Sequence, residues 1–257
     1  MKISFIGSGN VATQLALALQ KIGGVKIHQI ISRDKGHAKN LAMQVKADHN
    51  HELSRLKPNF DLLILAVNDD AIADILTQTP LPDNKIICHT AGSVASTVFK
   101  DMSRKYGVIY PLQTISKNKT TVWKSLPILI TASDDSTEKR LTQLVKHLTR
   151  ATHVITDEQR FALHVAAVFA CNFSNAMMQI SQKLCAENNI DFDLLKPLTQ
   201  ETFEKAERMG PRNAQTGPAK RGDQSVINKH LEFLKDHDLE KNLYRDLSAY
   251  IQQTYRS

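Results

Sequence analysis

The sequence predicts an α/β domain with a mostly parallel, doubly wound sheet, followed by an all-helical domain. Three observations support this fold class. A glycine-containing turn at residues 7–12 follows an apolar run and precedes a segment with helical spacing. Apolar runs of strand length then alternate with helical segments, which is typical of parallel βαβ units. Because the strand signal ends near residue 156, we predict one domain over residues 1–156 and a second over residues 157–257.

Seven short apolar runs in the first domain have the composition of strands. The continuous run FDLLILAV at 60–67 is typical of a parallel strand that is covered on both faces. The segments between these runs have apolar residues at helical spacing. The predicted strands are 2–6, 25–31, 60–67, 85–89, 107–110, 127–131 and 152–155. The predicted helices of the whole chain are 10–22, 36–44, 71–78, 134–149, 157–188, 191–209, 223–235 and 237–255, with a loop at 210–222.

The composition limits the class of protein. With 42% hydrophobic residues, the 257-residue chain resembles an ordinary globular protein. The formal net charge of +7 fits a protein that binds an anion, although modest basicity can also serve solubility alone. The three cysteines form no CxxC pair, so we expect neither a disulfide framework nor a metal site, and a reducing cytoplasm fits best.

Neither a membrane nor a nucleic acid is expected as a partner. The sequence has no signal-peptide pattern, and its most apolar stretch, residues 165–171, is far shorter than a membrane span. No basic run is interleaved with aromatic residues, as nucleic-acid binding would require. We therefore predict a cytoplasmic protein that binds a small-molecule substrate and has neither a membrane nor a nucleic acid as its partner.

The turn GSGNVA at 7–12 has the spacing of a dinucleotide-binding fingerprint between a strand and a helix. The first glycine permits the tight turn, the second lets the backbone approach a pyrophosphate, and the alanine allows close packing of helix and strand. Free N–H groups at the start of the helix then point at the anion. The cofactor-binding residues predicted here are Gly7, Ser8, Gly9, Asn10 and Val11.

The end of the second strand indicates which dinucleotide is bound. An NAD site normally places Asp or Glu there to bind the ribose 2′-hydroxyl. This sequence has Ser32 followed by Arg33, and a hydroxyl with a guanidinium suits a 2′-phosphate. We predict NADP rather than NAD, with the alternative that Asp34 takes the acidic role if the strand runs longer.

Ligands of an open α/β sheet lie outside the carboxyl ends of its strands, and three further strand ends carry polar or small residues. The cofactor-binding residues predicted there are Val67, Asn68, Asp69, Ala91 and Gly92. Asp69 is also a candidate N-cap for the helix at 71–78, and His89 fits equally well as a strand histidine with satisfied hydrogen bonds. Gln113, in the segment YPLQT, is predicted to contact substrate.

The helix around residues 161–180 is apolar except for a narrow polar stripe. At 100° per residue, His164, Asn172 and Asn175 share this stripe with Gln179. Buried polar side chains need partners. These partners are either neighbouring helices, including those of a second subunit, or a polar substrate in the cleft between the domains. In the second case histidine can donate or accept a proton, and the two asparagines can orient the same oxygen.

The segment GPAKRGD at 217–223 carries the second candidate substrate contact. Asp223 is a natural N-cap for the helix that follows. Arg221, between small residues, could clamp a carboxylate or phosphate, with Lys220 or His230 contributing.

These motifs together resemble one bacterial family over nearly the whole chain. That family pairs a Rossmann-like NADP-binding domain with a helical C-terminal domain of uncharacterised function. More distantly the sequence is similar to 6-phosphogluconate dehydrogenase, β-hydroxyacid dehydrogenases, ketopantoate reductase and pyrroline-5-carboxylate reductase. The segments that carry the resemblance are the glycine turn, AVNDDAI at 66–72, HTAGS at 89–93, YPLQT at 110–114, HVAAVFACNFSNA at 164–176 and GPAKRGD at 217–223.

The resemblance implies an NADP-dependent oxidoreductase that forms a homodimer through its helical domain. Several relatives carry a catalytic lysine and an asparagine on the first long helix of the second domain. Here His164 stands where that lysine is expected, and Asn172 matches the asparagine. We expect hydride transfer between the nicotinamide and a small polar, acidic keto, hydroxy or imine substrate. The alternative is an NADP-binding sensor or scaffold without turnover, which the missing lysine favours.

Overall fold

The computed structural model describes residues 1–79, 82, 84–117 and 119–255. The chain forms two compact units, Met1–Val168 and Phe169–Ser257, and each is described by itself. The first unit thus includes the helix that begins at Asp157, and Arg160 of this helix donates a hydrogen bond to the Thr131 hydroxyl. The functional boundary near residue 156 stays a prediction.

The first unit is built on one eight-stranded sheet with the strand order β3-β2-β1-β4-β5-β6-β7-β8. All neighbouring pairs are parallel except β6 and β7, which are antiparallel. The order 3-2-1-4-5 is that of a Rossmann sheet, so the predicted fold class is confirmed. The strands are β1 Lys2–Ile6, β2 Lys26–Ile31, β3 Asp48–Asn50, β4 Leu62–Leu65, β5 Ile86–His89, β6 Tyr106–Pro111, β7 Ile128–Ala132 and β8 Thr152–Val154.

The sheet is buried on both faces, as its apolar strands require. Along β1, Ile3 and Phe5 join one core cluster while Ile6 joins the other, because side chains alternate across a strand. The four helices that pack on the sheet are α1 Asn10–Leu19, α2 Lys35–Val45, α3 Ala71–Gln78 and α4 Asp135–Lys146.

A long helical segment, Asp157–Glu187, follows the sheet. It consists of α5 Asp157–Ala167, a π-helical turn Val168–Phe173 and α6 Ser174–Glu187. Thr156 and Gln159 form a capping box at the start of α5. By length and composition this segment is long and apolar enough to cross a membrane, and none of its most apolar window is buried within the chain. The apolar stretch is therefore longer than residues 165–171. Length and composition alone do not distinguish a membrane-spanning helix from a helix that a second subunit covers.

The second unit is helical, as predicted. The predicted loop at 210–222 is not fully irregular, since two short helices lie within it. The helices after α6 are α7 Lys196–Met209, α8 Pro211–Ala214, α9 Pro218–Arg221, α10 Gln224–Phe233 and α11 Asp238–Tyr255.

His89, at the carboxyl end of β5, is fully buried. Its Nδ1 accepts a hydrogen bond from the Ala91 N–H at 3.1 Å, whereas its Nε2 has no partner within the described residues. Burial, with the nearby charge of Arg160, lowers the pKa of His89 to about 4. The side chain is therefore a neutral strand histidine at neutral pH.

We expect His89 to make the fold sensitive to mild acid. The unfolded chain binds a proton at the ordinary histidine pKa of 6.5, before the folded chain does at about 4. Stability from this group is therefore complete above pH 6.5 and is lost as the pH falls towards 4, by on the order of 3 kcal/mol. Urea unfolding at several pH values measures this loss.

The control is His89→Asn, whose amide oxygen can accept from the Ala91 N–H but does not titrate. It should lose less stability than the wild type over the same pH range. Equal losses in the two proteins would contradict the role of His89.

Candidate functional site

The glycine turn between β1 and α1 has the shape that a dinucleotide needs. Gly7 has a φ of +110°, and a Cβ there would lie 2.1 Å from the Ala66 carbonyl oxygen, so only glycine fits. A Cβ on Gly9 would have no neighbour within 4 Å, which leaves open space beside the backbone. The N-cap residue, Gly9, has no side chain that could cap the first N–H groups of α1, and the first turn of this helix has no acidic residue. The N-terminus of α1 therefore suits an anion.

A cavity of about 700 Å³ opens at the carboxyl ends of the strands. Every cofactor-binding residue predicted from the sequence lines it, together with Gln113 and His164. The predicted set is Gly7, Ser8, Gly9, Asn10, Val11, Ser32, Arg33, Val67, Asn68, Asp69, Ala91 and Gly92. The role of each residue in binding stays a prediction.

One end of the cavity lies beside the end of β2. Ser8 donates a hydrogen bond to the Ser32 hydroxyl at 2.8 Å, which joins this end to the glycine turn. Asp34 caps α2 by accepting from the His37 N–H at 2.8 Å, and this bond lowers the pKa of Asp34. Asp34 is therefore engaged as a helix cap, which disfavours the alternative in which it binds a ribose. His37 and His51, which belong to no recognisable sequence motif, also line the cavity.

The prediction that Asp69 is the N-cap of α3 is wrong. The N-cap position of α3 is Asp70, so Asp69 is not the cap. Its carboxylate instead accepts a short hydrogen bond from the Ser93 hydroxyl. This contact joins the loops after β4 and β5 at the rim of the cavity.

The loop after β6 is held on α1 by two amide side chains. Asn10 donates to the Ile115 carbonyl at 3.0 Å. One turn further along the helix, Gln14 donates to the Ser116 carbonyl and accepts from the Thr121 N–H, both at 3.2 Å. Gln113, in the same loop, lies at the cavity wall, and its contact with substrate stays a prediction.

The opposite end of the cavity holds a tyrosine–histidine pair. The Tyr110 hydroxyl lies 3.0 Å from His164 Nδ1, and the two rings meet edge to face. A Cβ on Gly92 would lie 2.5 Å from His164 Nδ1 and 3.0 Å from Tyr110 Cζ. The absence of a side chain at Gly92 therefore makes room for both rings. Tyr110 belongs to the sequence motif YPLQT, but it lies 54 positions before His164, so no local pattern indicates that the two side chains pair.

A buried ion pair fixes α5, the helix that carries His164. Arg160 is 1% exposed, and its guanidinium donates to Asp157 at 2.6 Å, to the Thr131 hydroxyl at 2.8 Å and to the Val94 carbonyl. Asp157 also accepts from the N–H and the hydroxyl of Ser96, both at 2.8 Å. Although burial opposes it, these hydrogen bonds and the charge of Arg160 hold the pKa of Asp157 below its ordinary value.

Residues of the second unit that were predicted to act on substrate have other partners. Arg221 donates to the Asp223 carboxylate through Nε at 2.9 Å and Nη2 at 2.8 Å. Asp223 therefore occupies the N-cap position of α10 without capping it through its side chain. Lys220 donates to the Gln215 carbonyl, and His230 pairs with the Tyr244 hydroxyl.

The predicted polar stripe is interrupted by the π-helical turn. Asn172 lies in that turn and Asn175 in α6, whereas His164 lies in α5. A π-helical turn holds more residues than an α-helical one, so the uniform spacing of 100° per residue does not hold across it. The common face of these three residues stays a prediction.

Comparisons with known proteins identify the family. Residues 2–92 match the family described as NADP oxidoreductase, coenzyme F420-dependent, and residues 126–251 match a domain of unknown function, DUF2520. The protein BF3122 from Bacteroides fragilis, provisionally described as an NADP oxidoreductase, is 37% identical, with 98% of each chain covered and a TM-score of 0.91. The chain belongs to this family of NADP oxidoreductases. The resemblance found in the sequence is thus confirmed, and NADP is the cofactor.

Two structures of lower identity share the fold of this oxidoreductase. The imine reductase from Myxococcus stipitatus, in complex with NADP⁺, is 15% identical with a TM-score of 0.70, covering 100% of this chain and 93% of that one. The reductive aminase from Aspergillus terreus, in complex with NADPH and ethyl-5-oxohexanoate, is 15% identical with a TM-score of 0.74, covering 99% and 93%. No functionally curated protein matches the chain.

We expect Arg33 to set the preference of the oxidoreductase for NADP. Its guanidinium is the exposed cation at the β2 end of the cavity, where it can bind a 2′-phosphate. Arg33→Ala should weaken NADPH binding by about 10- to 100-fold, as expected for a charged hydrogen bond. Binding of NADH, which lacks the phosphate, should change little in the same titration calorimetry experiment.

Lys35→Ala is the matched control because it removes a neighbouring exposed charge that does not line the cavity. It should leave both affinities within about twofold. An equal loss of NADPH and NADH affinity in Arg33→Ala would show that Arg33 does not bind the 2′-phosphate.

We also expect the Arg160–Asp157 pair to support the stability of the fold. Arg160→Met leaves the Asp157 carboxylate partly buried without its cation, which should lower the free energy of unfolding by about 3–5 kcal/mol. Urea unfolding measures this change. Arg150→Met, an exposed arginine at the end of the α4–β8 turn, is the control and should change stability by less than about 0.5 kcal/mol. A similar small effect at both positions would refute the role of the buried pair.

Proposed function

We propose that this oxidoreductase uses NADPH to reduce the carbonyl or imine of a small polar substrate, or uses NADP⁺ to run the reverse reaction on the corresponding hydroxyl or amino compound. One observation carries the proposal. The residues suited to the dinucleotide and the Tyr110–His164 pair line the same cavity. A hydride donor and a proton donor are the two requirements of such a reduction, and this cavity has residues suited to both.

Backbone N–H groups and polar side chains of the chain would hold the cofactor. The N–H groups at the start of α1 would bind the pyrophosphate, and Ser32 with Arg33 would bind the 2′-phosphate. When bound, NADPH would supply a hydride from its nicotinamide ring. His164 would hold the proton that the reduced oxygen or nitrogen needs, since histidine is the side chain best suited to proton transfer near neutral pH.

The class of substrate is inferred from structural relatives and from polar groups. Imine reductase, reductive aminase and pyrroline-5-carboxylate reductase share the fold, and their names point to C=N chemistry. Gln113, at the cavity wall, could orient a carbonyl or carboxylate oxygen. Asn172 and Asn175 are proposed to orient the same oxygen without carrying charge. Arg221 is proposed to hold an acidic group, but we rank it below Gln113 because Asp223 already accepts two of its hydrogen bonds.

We also propose a homodimer formed through the helical segment. Phe161, Phe169 and Phe173 are 51%, 66% and 48% exposed, which is unusual for phenylalanine in a protein that acts as a monomer. A second copy would cover these rings. In this proposal neither a membrane nor a nucleic acid is a partner.

The test is NADPH oxidation, followed by absorbance, with cyclic imines, 2-keto acids and ketone–amine pairs as substrates. We expect turnover with at least one of these classes. His164→Ala should lower kcat by about 100-fold or more, the size of a general acid effect, with NADPH affinity unchanged. His153→Ala, an exposed histidine outside the cavity, is the control.

Wild-type turnover by His164→Ala would remove the proposed proton role. Tight NADPH binding without turnover of any class would instead support the alternative, a cofactor-binding sensor or scaffold.

A further inference from the structure

We propose that Tyr110, rather than His164, delivers the proton to the substrate, and that His164 resupplies Tyr110 through Nδ1. This inference rests on the proposed function and names a further catalytic residue for it. The hydroxyl of Tyr110 and Nδ1 of His164 are 3.0 Å apart, so the two groups share one hydrogen bond. Both side chains line the cavity, and both are half-buried.

The direction of this hydrogen bond decides whether the phenolic proton of Tyr110 is available to the substrate. When both ring nitrogens of His164 are protonated, Nδ1–H must donate, and the Tyr110 oxygen accepts. The phenolic proton is then free to donate to a substrate atom in the cavity. In the neutral state with the proton on Nε2, the phenol donates to Nδ1 instead. The pair therefore exposes the phenolic proton only when His164 carries a proton to replace it.

Gly92 provides independent support for the pairing, because both rings occupy the space beside it. Its φ lies outside the left-handed region, so the backbone conformation does not require glycine. The space does, because a Cβ would overlap His164 Nδ1 at 2.5 Å and crowd Tyr110 Cζ at 3.0 Å. Any larger residue at position 92 would therefore push the two rings apart.

The electrostatic surroundings keep Tyr110 protonated before the reaction. Burial raises the pKa of its hydroxyl, and the Asp69 carboxylate at the rim raises it further, while the Arg160 guanidinium lowers it. The groups around the phenol are thus Asp69 from the loop after β4, Gly92 from the loop after β5, and Arg160 with His164 from α5. A neutral phenol is a proton donor, which is the role that the proposal gives it.

The step balances in atoms and charge. NADPH, when bound, would supply a hydride to the substrate carbon, and the π bond from that carbon to its nitrogen or oxygen would break. That nitrogen or oxygen takes the proton of the Tyr110 hydroxyl, and the phenolate oxygen takes the proton from His164 Nδ1. His164 is left neutral and regains a proton (H⁺) from the solvent, so the net change is addition of one hydride and one proton.

The first test is Tyr110→Phe, which keeps the ring and removes the hydroxyl. We expect kcat to fall by about 100-fold or more while KM and NADPH affinity stay within about twofold. Tyr106→Phe is the matched control on the same strand, since Tyr106 lies outside the cavity, and it should keep wild-type kcat. A full kcat in Tyr110→Phe, with a large loss in His164→Ala, would overturn the inference and leave the proposed function standing.

The second test does not depend on turnover. The imidazole nitrogen signals of His164, measured by NMR in the protein without substrate, should shift at Nδ1 in Tyr110→Phe. Gly92→Ala should produce the same shift by separating the rings, and Gly23→Ala, where an added Cβ meets nothing within 4 Å, should not. Unchanged Nδ1 signals in Tyr110→Phe would contradict the pairing itself. If the wild type reduces no substrate but the shift is present, the proposed function fails while the pair is real.

Discussion

The guanidinium of Arg160 is buried where the loop after β5, the strand β7 and the first turn of α5 meet, and it ties that helix to the sheet. A buried charge is expensive unless it is paired and its donors are satisfied. Asp157, Thr131 and the Val94 carbonyl meet most of that requirement. His164 follows Arg160 by four residues, about one helical turn, and so lies on the same face of α5. The ion pair thus sets where the imidazole can reach.

Two glycines define the ends between which the ligand cavity lies, for different physical reasons. Gly7 is required by its backbone, since it combines a positive φ with a contact that leaves no room for a Cβ. Gly92 is required by its neighbours, since the rings of Tyr110 and His164 occupy the space beside it. The first glycine shapes the turn that a phosphate approaches. The second leaves room for the Tyr110–His164 pair in the wall of the same cavity.

The sequence could predict those features that arise within a few residues of each other. The glycine turn, the Ser32–Arg33 end of β2 and most helices and strands are local patterns of this kind. It could not predict Tyr110 with His164, separated by 54 positions, or Arg160 with Val94, separated by 66. The short edge strand β3 was missed because its residues, DHN, are polar and have no apolar alternation. The helical spacing downstream of His164 failed at the π-helical turn, which no periodicity within an apolar run reveals.

The charge that anchors α5 also acts on the groups around it. Arg160 contributes to the low pKa of His89, which keeps that buried ring neutral, and it opposes the effects of burial and Asp69 on Tyr110. A phenol that is to deliver a proton must be protonated at rest, yet it must not resist the transient phenolate. Burial and Asp69 favour the first state, and a nearby fixed cation favours the second. The same guanidinium therefore stabilises the helix in place and reduces the cost of the proton transfer that we assign to Tyr110.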